Sequence, residues 1–280
     1  MTYASTDPVV HFETVDDLSD PAEAVKHMDA AAEYPAVTRL REWTAEQLGL
    51  RSGQRVIDVG CGPATAALRL AERVGPDGRV VGVDESQAMI DTARARAPGD
   101  AAIDLRVADA TALPFDDDSF DAYRSERTYQ WLSDPDRALD EALRVLRPGG
   151  RLVVTDTDWG TLAIDHPDRD LTARILAAPW PIPPNRHSGR RLPSMFRQRD
   201  VREPEVVADS IVVTSWDPTS TPGPSAMPPP AELVRMATAA GGLSSVDADR
   251  WLETLESEAR AGRFFMSVTM FAVAGTAGSG

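Results

Sequence analysis

The sequence predicts an α/β fold with a mostly parallel sheet covered by helices on both faces, and three observations predict it. Apolar runs of strand length alternate with segments of helical length between residues 55 and 157. The first run, 55–59, breaks into a glycine turn, Gly60-Cys61-Gly62, that leads into a helix over 64–74. The second run, 79–84, closes on an acid, Asp84. Parallel sheets of this kind bind ligands beyond the carboxyl ends of their strands, and Asp58, Asp84 and Asp109 fall at or near those ends.

The elements follow in order. Residues 1–20 read as a mobile polar segment, and 20–48 predict two helices, with Leu40, Trp43, Gln47 and Leu48 on helical spacing in the second. Strands are expected at 55–59, 79–84, 103–108, 119–125 and 151–157, with helices at 64–74, 86–97 and 135–146. Beyond Trp159 the pattern loosens: helices at 171–178 and 192–201, a strand at 205–214, helices at 231–240 and 246–261, and a closing strand at 264–274. Residues 179–184 read as a loop. Residues 216–230 carry six prolines and read as a linker or flap. The chain divides as an N-terminal helical lid segment (1–50), a ligand-binding core (51–160) and a substrate-side region (161–280).

Bulk properties exclude several functions. The 280 residues carry a formal charge of −15 and the isoelectric point is near 4.7. With one lysine, Lys26, the chain lacks the basic face of a nucleic-acid binder. No window approaches a membrane span, the acidic N-terminus is unlike a signal peptide, and a single cysteine forms no internal disulfide, so a cytoplasmic protein is expected. The histidines at 11, 27, 166 and 187 are too dispersed for a close-spaced metal motif. The Asp156/Asp158 pair shares a strand face without an evident third ligand, so no metal is expected.

Strand, glycine turn, helix and strand-terminal acid specify a nucleoside-type ligand. Asp84 is placed to accept hydrogen bonds from two ribose hydroxyls, with a helix N-cap as its alternative role. The dinucleotide fingerprint would need glycine at 65, where Thr65 stands. Asp58, at the mouth of the turn, would repel a pyrophosphate and attract an ammonium. S-adenosylmethionine carries that ammonium, a sulfonium and no phosphate.

Five ordered segments carry a family resemblance. Residues 56–64 resemble a glycine-rich first motif, with Ala64 where its last glycine usually stands, and Gly82-Val83-Asp84 resembles the second-strand acid. Residues 108–115 resemble the segment whose acid meets adenine. Ser119-Phe120-Asp121 opens a fourth strand, and 144–150 resemble the turn before a fifth. Together, residues 36–160 resemble a class I S-adenosylmethionine-dependent methyltransferase of the ubiquinone/menaquinone-methyltransferase-like group. The resemblance implies a Rossmann-like seven-stranded sheet with a helical lid, finished by the antiparallel pair 205–214 and 264–274. It implies S-adenosylmethionine as cofactor, held by Asp58, Gly60, Gly62, Asp84, Met89, Asp109, Ala110 and Ser125. For Met89, core packing is the alternative to covering adenine.

The acceptor side is read from the segment after the fourth strand. Arg127, Gln130 and Trp131, with Trp159, are candidates to bind substrate, and Trp180 and Phe196 extend the apolar wall. A structural Arg-Glu network and a core tryptophan are the alternatives. His166, Glu126 and His27 are the candidate catalytic groups. The expected acceptor is a small, fairly apolar molecule, as in secondary metabolism or quinone-like biosynthesis, with oxygen favoured over carbon or nitrogen. Rival readings keep the cofactor pocket without methyl transfer, steering cyclisation, decarboxylation or hydroxylation, or bind without catalysis. The sequence leaves the oligomeric state open.

Overall fold

The computed structural model describes residues 15–16, 21–99, 101–179, 183–199, 201–220, 223 and 226–278. Seven strands form one sheet: β1 (Arg55–Val59), β2 (Arg79–Asp84), β3 (Ile103–Val107), β4 (Phe120–Glu126), β5 (Leu146–Ile164), β6 (Arg202–Val213) and β7 (Met266–Thr276). Their spatial order is β3-β2-β1-β4-β5-β7-β6, with β7 antiparallel to both of its neighbours. This is the seven-stranded, mostly parallel sheet expected from the sequence. The order reverses beside β1, where β1 pairs with β2 on one side and β4 on the other. In sheets of this kind the ligand crevice lies outside such a switch, here beyond the carboxyl ends of β1 and β4.

The helices are α1 (Pro21–Ala32), α2 (Pro35–Leu48), α3 (Thr65–Val74), α4 (Gln87–Arg96), α5 (Pro135–Val145), α6 (Arg169–Ala177), α7 (Ser188–Gln198), α8 (Pro230–Ala239) and α9 (Ser245–Arg260). Local chemistry sets their ends. Pro35 and Pro135 occupy first turns, where a missing N–H costs nothing. Ser86, Asp134, Asp168 and Ser244 each accept a backbone N–H as N-caps. Gly49 ends α2 in the left-handed region and donates to Glu46 O at 3.0 Å.

Three main apolar clusters account for the layers. α3 and α4 cover one face of the sheet through Ala67, Leu70, Ile90 and Ala93 packed on Val56 and Val80. α5 and α7 cover the other through Leu139, Val145, Leu192 and Phe196. The third lies over the β5–β7 edge, where Leu40, Ile175, Leu233 and Trp251 meet Met266 and Met270. Trp216 and Met227 are buried there too, so the described part of the proline-rich 216–230 stretch is anchored on the core rather than hanging free.

Several boundaries differ from the sequence reading; β5 runs on to Ile164, seven residues past the expected 157, and β6 begins at Arg202 rather than 205. β5 begins at Leu146, because Phe120 pairs with Leu146 and Ala122 with Arg151, so residues 147–150 are absorbed as an irregularity of the β4–β5 ladder. Helix α7 begins at Ser188, four residues before the expected start, and accommodates Pro193 in its second turn.

The loop between β3 and β4 is fixed from α5. Buried Glu141 accepts from Leu113 N at 2.9 Å and from Arg144 Nη2 at 2.7 Å, while Arg144 donates to the carbonyls of Leu113 and Phe115. The hydrogen bonds from Arg144 hold the Glu141 carboxyl below its ordinary range, against burial. A charged hydrogen-bonding group of this kind is worth about 2 kcal/mol. Glu141→Ala is therefore expected to lower stability in urea unfolding by about that amount. Because the folded value is depressed, the stabilisation is complete above the unfolded carboxylate pKa and lost as pH falls through the folded one. The gap between the two proteins should close in acid.

Candidate active site

The glycine turn is built by two left-handed positions and one contact. Gly60 has φ 70° and Gly62 φ 52°. A Cβ on Gly60 would lie 2.0 Å from Thr128 Oγ1, so the turn is pressed against the segment after β4. A Cβ on Gly62 would approach Met28 Cε at 3.4 Å, which places α1 directly over the turn. Ala64 follows with φ 62°, in the conformation that the usual glycine would supply freely. Cys61 is buried beside Gly82 and Leu105, and burial pushes its thiol well above the ordinary range, so it is packing rather than a nucleophile.

Asp84 joins two turns. Its Oδ2 accepts from Gly62 N at 2.8 Å and its Oδ1 from Ser86 N at 3.0 Å. The cap of α4 is Ser86, not Asp84: Ser86 Oγ accepts from Met89 N. Asp16 also reaches this end, accepting from Ser86 Oγ and from the N–H groups of Gln87 and Ala88. Burial raises the Asp84 pKa, against the two backbone bonds, and the Asp16 and Asp58 charges add to the rise.

Asp58 is wholly buried. Its Oδ1 accepts from Arg124 Nη1 at 2.7 Å, and its Oδ2 is buried with no hydrogen-bond partner among the described residues. Arg124 continues to Glu126 Oε2 at 2.5 Å, and Glu126 is held in turn by Arg41 of α2, whose Nη2 lies 2.7 Å from Oε1. Arg127 stands 3.7 Å from the same carboxylate. Removing one member of such a buried pair costs about 3–5 kcal/mol, because its partner is left uncompensated.

Glu126 is therefore not a proton acceptor. Burial alone would raise its pKa, but Arg124 and Arg41, with Arg127, drive it far below the carboxylate range. His166 is also corrected. It is buried and stacked on Trp251 at 5.1 Å, its Nδ1 accepts from Asp168 N, and its Nε2 lies 3.2 Å from Trp251 O. Both nitrogens are committed at the start of α6.

His27 is placed differently. It sits on α1 beside Met28, which covers Gly62. Burial, and then the positive charge of Arg127, hold its pKa below the ordinary 6.5, so the imidazole is neutral at pH 7. Arg127 has φ 57° and is anchored by its N–H on Thr155 O at 2.8 Å.

Other expected residues divide. Ser125 is buried opposite Val59 in the β1–β4 ladder. Asp109 is exposed, with Oδ1 accepting from Thr111 N and Oγ1, and Ala110 is buried in the cluster below it. Met89 packs wholly inside a small cluster with Val15, Ala24 and Val25, which is the core role rather than an open cover for adenine. Gln130 is committed to structure: its N–H donates to Asp156, its Nε2 to Arg127 O, and its Oε1 accepts from Trp159 Nε1 at 2.6 Å. Trp131 and Trp159 are half-buried. Phe196 is not a pocket wall, being fully buried between α7 and the sheet, and Trp180 lies outside the described residues. Asp156 and Asp158, paired in the sequence reading, have separate partners: Ser188 Oγ donates to the first, and Arg190 holds the second.

Sequence reasoning missed Arg41. Its partner Glu126 is 85 residues away, and on its own helix it adjoins the buried stripe of Val37, Leu40 and Thr44. A long cation bordering an apolar stripe is the only local signal.

The donor set fits S-adenosylmethionine. Asp58 offers a dry, unpartnered carboxylate oxygen, which suits an ammonium and opposes a phosphate. Asp84 stands at the end of β2, as a ribose ligand requires.

Comparisons agree. A family model described as a methyltransferase domain matches residues 57–154. A 37.1 kDa protein in transposon Tn4556 of Streptomyces fradiae is 35% identical over 252 residues, covering 90% of this chain and 70% of that one. A demethylmenaquinone methyltransferase of Renibacterium salmoninarum is 33% identical over 185 residues, covering 65% and 74%. Another, from Clavibacter sepedonicus, is 41% identical over 126 residues, covering 45% of this chain and half of its own length. Among solved structures, the YcgJ protein of Bacillus subtilis superposes with TM-score 0.56 at 18% identity, covering 86% of this chain and 98% of that one.

Two left-handed positions of the turn, Gly60 and Ala64, should respond differently to substitution. Gly60→Ala adds a backbone cost of about 1–2 kcal/mol and drives a methyl into Thr128; a clear fall in Tm and loss of cofactor binding are expected. Ala64→Gly relieves a similar strain, about 1–2 kcal/mol. It loses a buried methyl worth about 0.8 kcal/mol and gains unfolded-state freedom worth about 0.4–1 kcal/mol. Its Tm, read by calorimetry, should stay close to that of the parent.

Proposed function

Because the chain belongs to the class I S-adenosylmethionine-dependent methyltransferases, we propose that it methylates a hydroxyl of a small, fairly apolar molecule, with His27 as general base. S-adenosylmethionine is its cofactor, and when bound it supplies a methyl group on a positively charged sulfur. Asp84 would hold the ribose, Asp109 and Ala110 the adenine end, and Asp58 and Ser125 the methionine portion. Gly60 and Gly62 add no side chain of their own to that surface, which Thr128 and Met28 already approach closely.

The observation that carries the reading is the neutral imidazole of His27 on α1, whose chain neighbour Met28 lies against the glycine turn and whose pKa is lowered by burial and then by the cation of Arg127. A hydroxyl nucleophile is protonated at neutral pH and needs a base, which His27 supplies at its ring nitrogen. Arg127 stabilises the oxyanion left when the proton departs. Tyr34, Trp43 and Trp159, half-buried and packed against the largest apolar cluster, support an apolar acceptor. Fixing acceptor and donor in line is worth on the order of 7–11 kcal/mol, so positioning does most of the work and the base the remainder. The demethylmenaquinone methyltransferases among the relatives make a hydroquinone-like hydroxyl compound a sensible first acceptor.

The test is incubation with S-adenosylmethionine and a panel of phenols, hydroquinones and aliphatic alcohols, with S-adenosylhomocysteine and the methylated product read by mass spectrometry. Methylation at carbon or nitrogen only, or turnover without S-adenosylhomocysteine, would overturn the reading. With an acceptor in hand, His27→Ala should lower kcat about 10²–10⁴-fold. The acid limb of kcat/KM should fall below pH 6.5 in the parent. It should move upward in Arg127→Met, because burial still lowers the histidine pKa but the neighbouring cation no longer does.

A further inference from the structure

Arg41, Glu126, Arg124 and Asp58 form one row of alternating charge that runs from α2 through β4 to β1, beneath the glycine turn. Side-chain exposure falls along it from 17% at Arg41 to 7% at Glu126, 5% at Arg124 and zero at Asp58. The row ends on Asp58 Oδ2, buried and without a hydrogen-bond partner among the described residues. A dry, unpaired carboxylate oxygen is unfavourable in the ligand-free chain, and a bound cation removes that cost. We propose that Arg41, Glu126 and Arg124 are positioning residues that act through Asp58 on the cofactor's ammonium, so that docking of α2 is coupled to cofactor affinity. This rests on the S-adenosylmethionine reading of the glycine turn.

Each charge bears on Asp58 with its own sign. Burial raises its pKa most, Arg124 and Arg41 lower it, and Glu126 raises it. Among the described residues, Cys61, Tyr123 and Asp84 also feel its charge. Cys61 and Tyr123 have raised values and stay neutral, while Asp84 adds a like charge. Ionised Asp58 attracts the ammonium and protonated Asp58 does not. Loss of either arginine should raise the pH at which affinity falls away, and loss of the Glu126 charge should lower it. A role confined to holding the fold would produce no such opposition.

The experiment is isothermal titration of the ligand-free protein with S-adenosylhomocysteine and with 5′-methylthioadenosine, which keeps the nucleoside and sulfur but lacks the amino-acid portion. Arg124→Met should weaken S-adenosylhomocysteine about tenfold or more at neutral pH and leave 5′-methylthioadenosine nearly unchanged. The acid loss of S-adenosylhomocysteine affinity should move to higher pH in Arg124→Met, by less in Arg41→Met, and to lower pH in Glu126→Gln. Arg41→Lys should recover most of the parental profile. Should Arg124→Met fail to fold, the opposed shifts of Arg41→Met and Glu126→Gln, at the less buried end, carry the test. Equal losses for both ligands, no shift, or shifts of one sign in those two variants would overturn the proposal. A parent protein that binds neither ligand would overturn the cofactor reading, and this proposal with it, at the first titration.

Discussion

Taking Asp58, Arg124 and Glu126 out of water costs several kcal/mol for each ion, and only close partners of opposite sign offset it. Two of those partners lie within the sheet, but Glu126 at the end of β4 needs a cation from outside it. Arg41 meets that need with three short contacts, Nε to both carboxylate oxygens and Nη2 to Oε1. The position of α2 over the strand ends is thereby set by electrostatics as well as by its buried stripe. Gln47 takes Arg151 of β5 at the other end of the helix, and Arg39 pairs with Asp209 of β6 at its exposed edge. Of these the Arg41 contact matters most, because exposed pairs such as Arg39–Asp209 contribute only about 0–1 kcal/mol.

The same region stores backbone strain. Ala64 and Arg127 are two of five non-glycine residues with positive φ among the described residues, and they follow the carboxyl ends of β1 and β4. Residues held this way cost about 1–3 kcal/mol and persist where their surroundings fix them. Ala64 is fixed by complete burial within the α3 face, and Arg127 by its N–H on Thr155 and its carbonyl on Gln130. The strained pair brackets the crevice, so the turn after β1 and the turn after β4 are each held in a single shape before any ligand arrives.

Much of this was legible in the sequence, and the reason is locality. Strand positions and the acids at strand ends follow from runs of five to seven residues, where an apolar stretch and an acid at or near its end are readable without knowing any partner. Asp58, Asp84 and the glycine turn emerge on that basis. Arg41 does not, because its meaning lies in a carboxylate 85 positions distant. His166 fails for a related reason: its place after the fifth strand suggests a loop over the crevice, yet Trp251, also 85 residues away, captures it in the α6–α9 cluster. Gln130 reads as a polar pocket residue until Trp159 Nε1 occupies its carbonyl oxygen. Long-range capture of polar side chains is invisible to periodicity.

The acceptor side depends on such captures throughout. Asp156 is buried in β5 and accepts from Gln130 N, Thr157 N and Ser188 Oγ, tying the turn after β4 to the start of α7. Burial lifts its pKa to about 7 despite those three bonds, so its charge is only partial at neutral pH. Asn185 adds a second tie, donating from Nδ2 to Tyr129 O and Leu132 O, and from its backbone to Gln130 O. All of these partners from 156 to 188 lie beyond residue 154, where the methyltransferase-domain match ends. The glycine turn and this hydrogen-bond network thus come from different stretches of chain, and the network reaches the turn after β4 at Gln130, which also holds the Arg127 carbonyl. Changes in 156–190 can reshape what the site accepts while Asp58, Asp84 and the glycine turn keep the same contacts. On the proposed reading, acceptor choice lies in the sequence beyond the family motif, through its hydrogen bonds to the turn after β4.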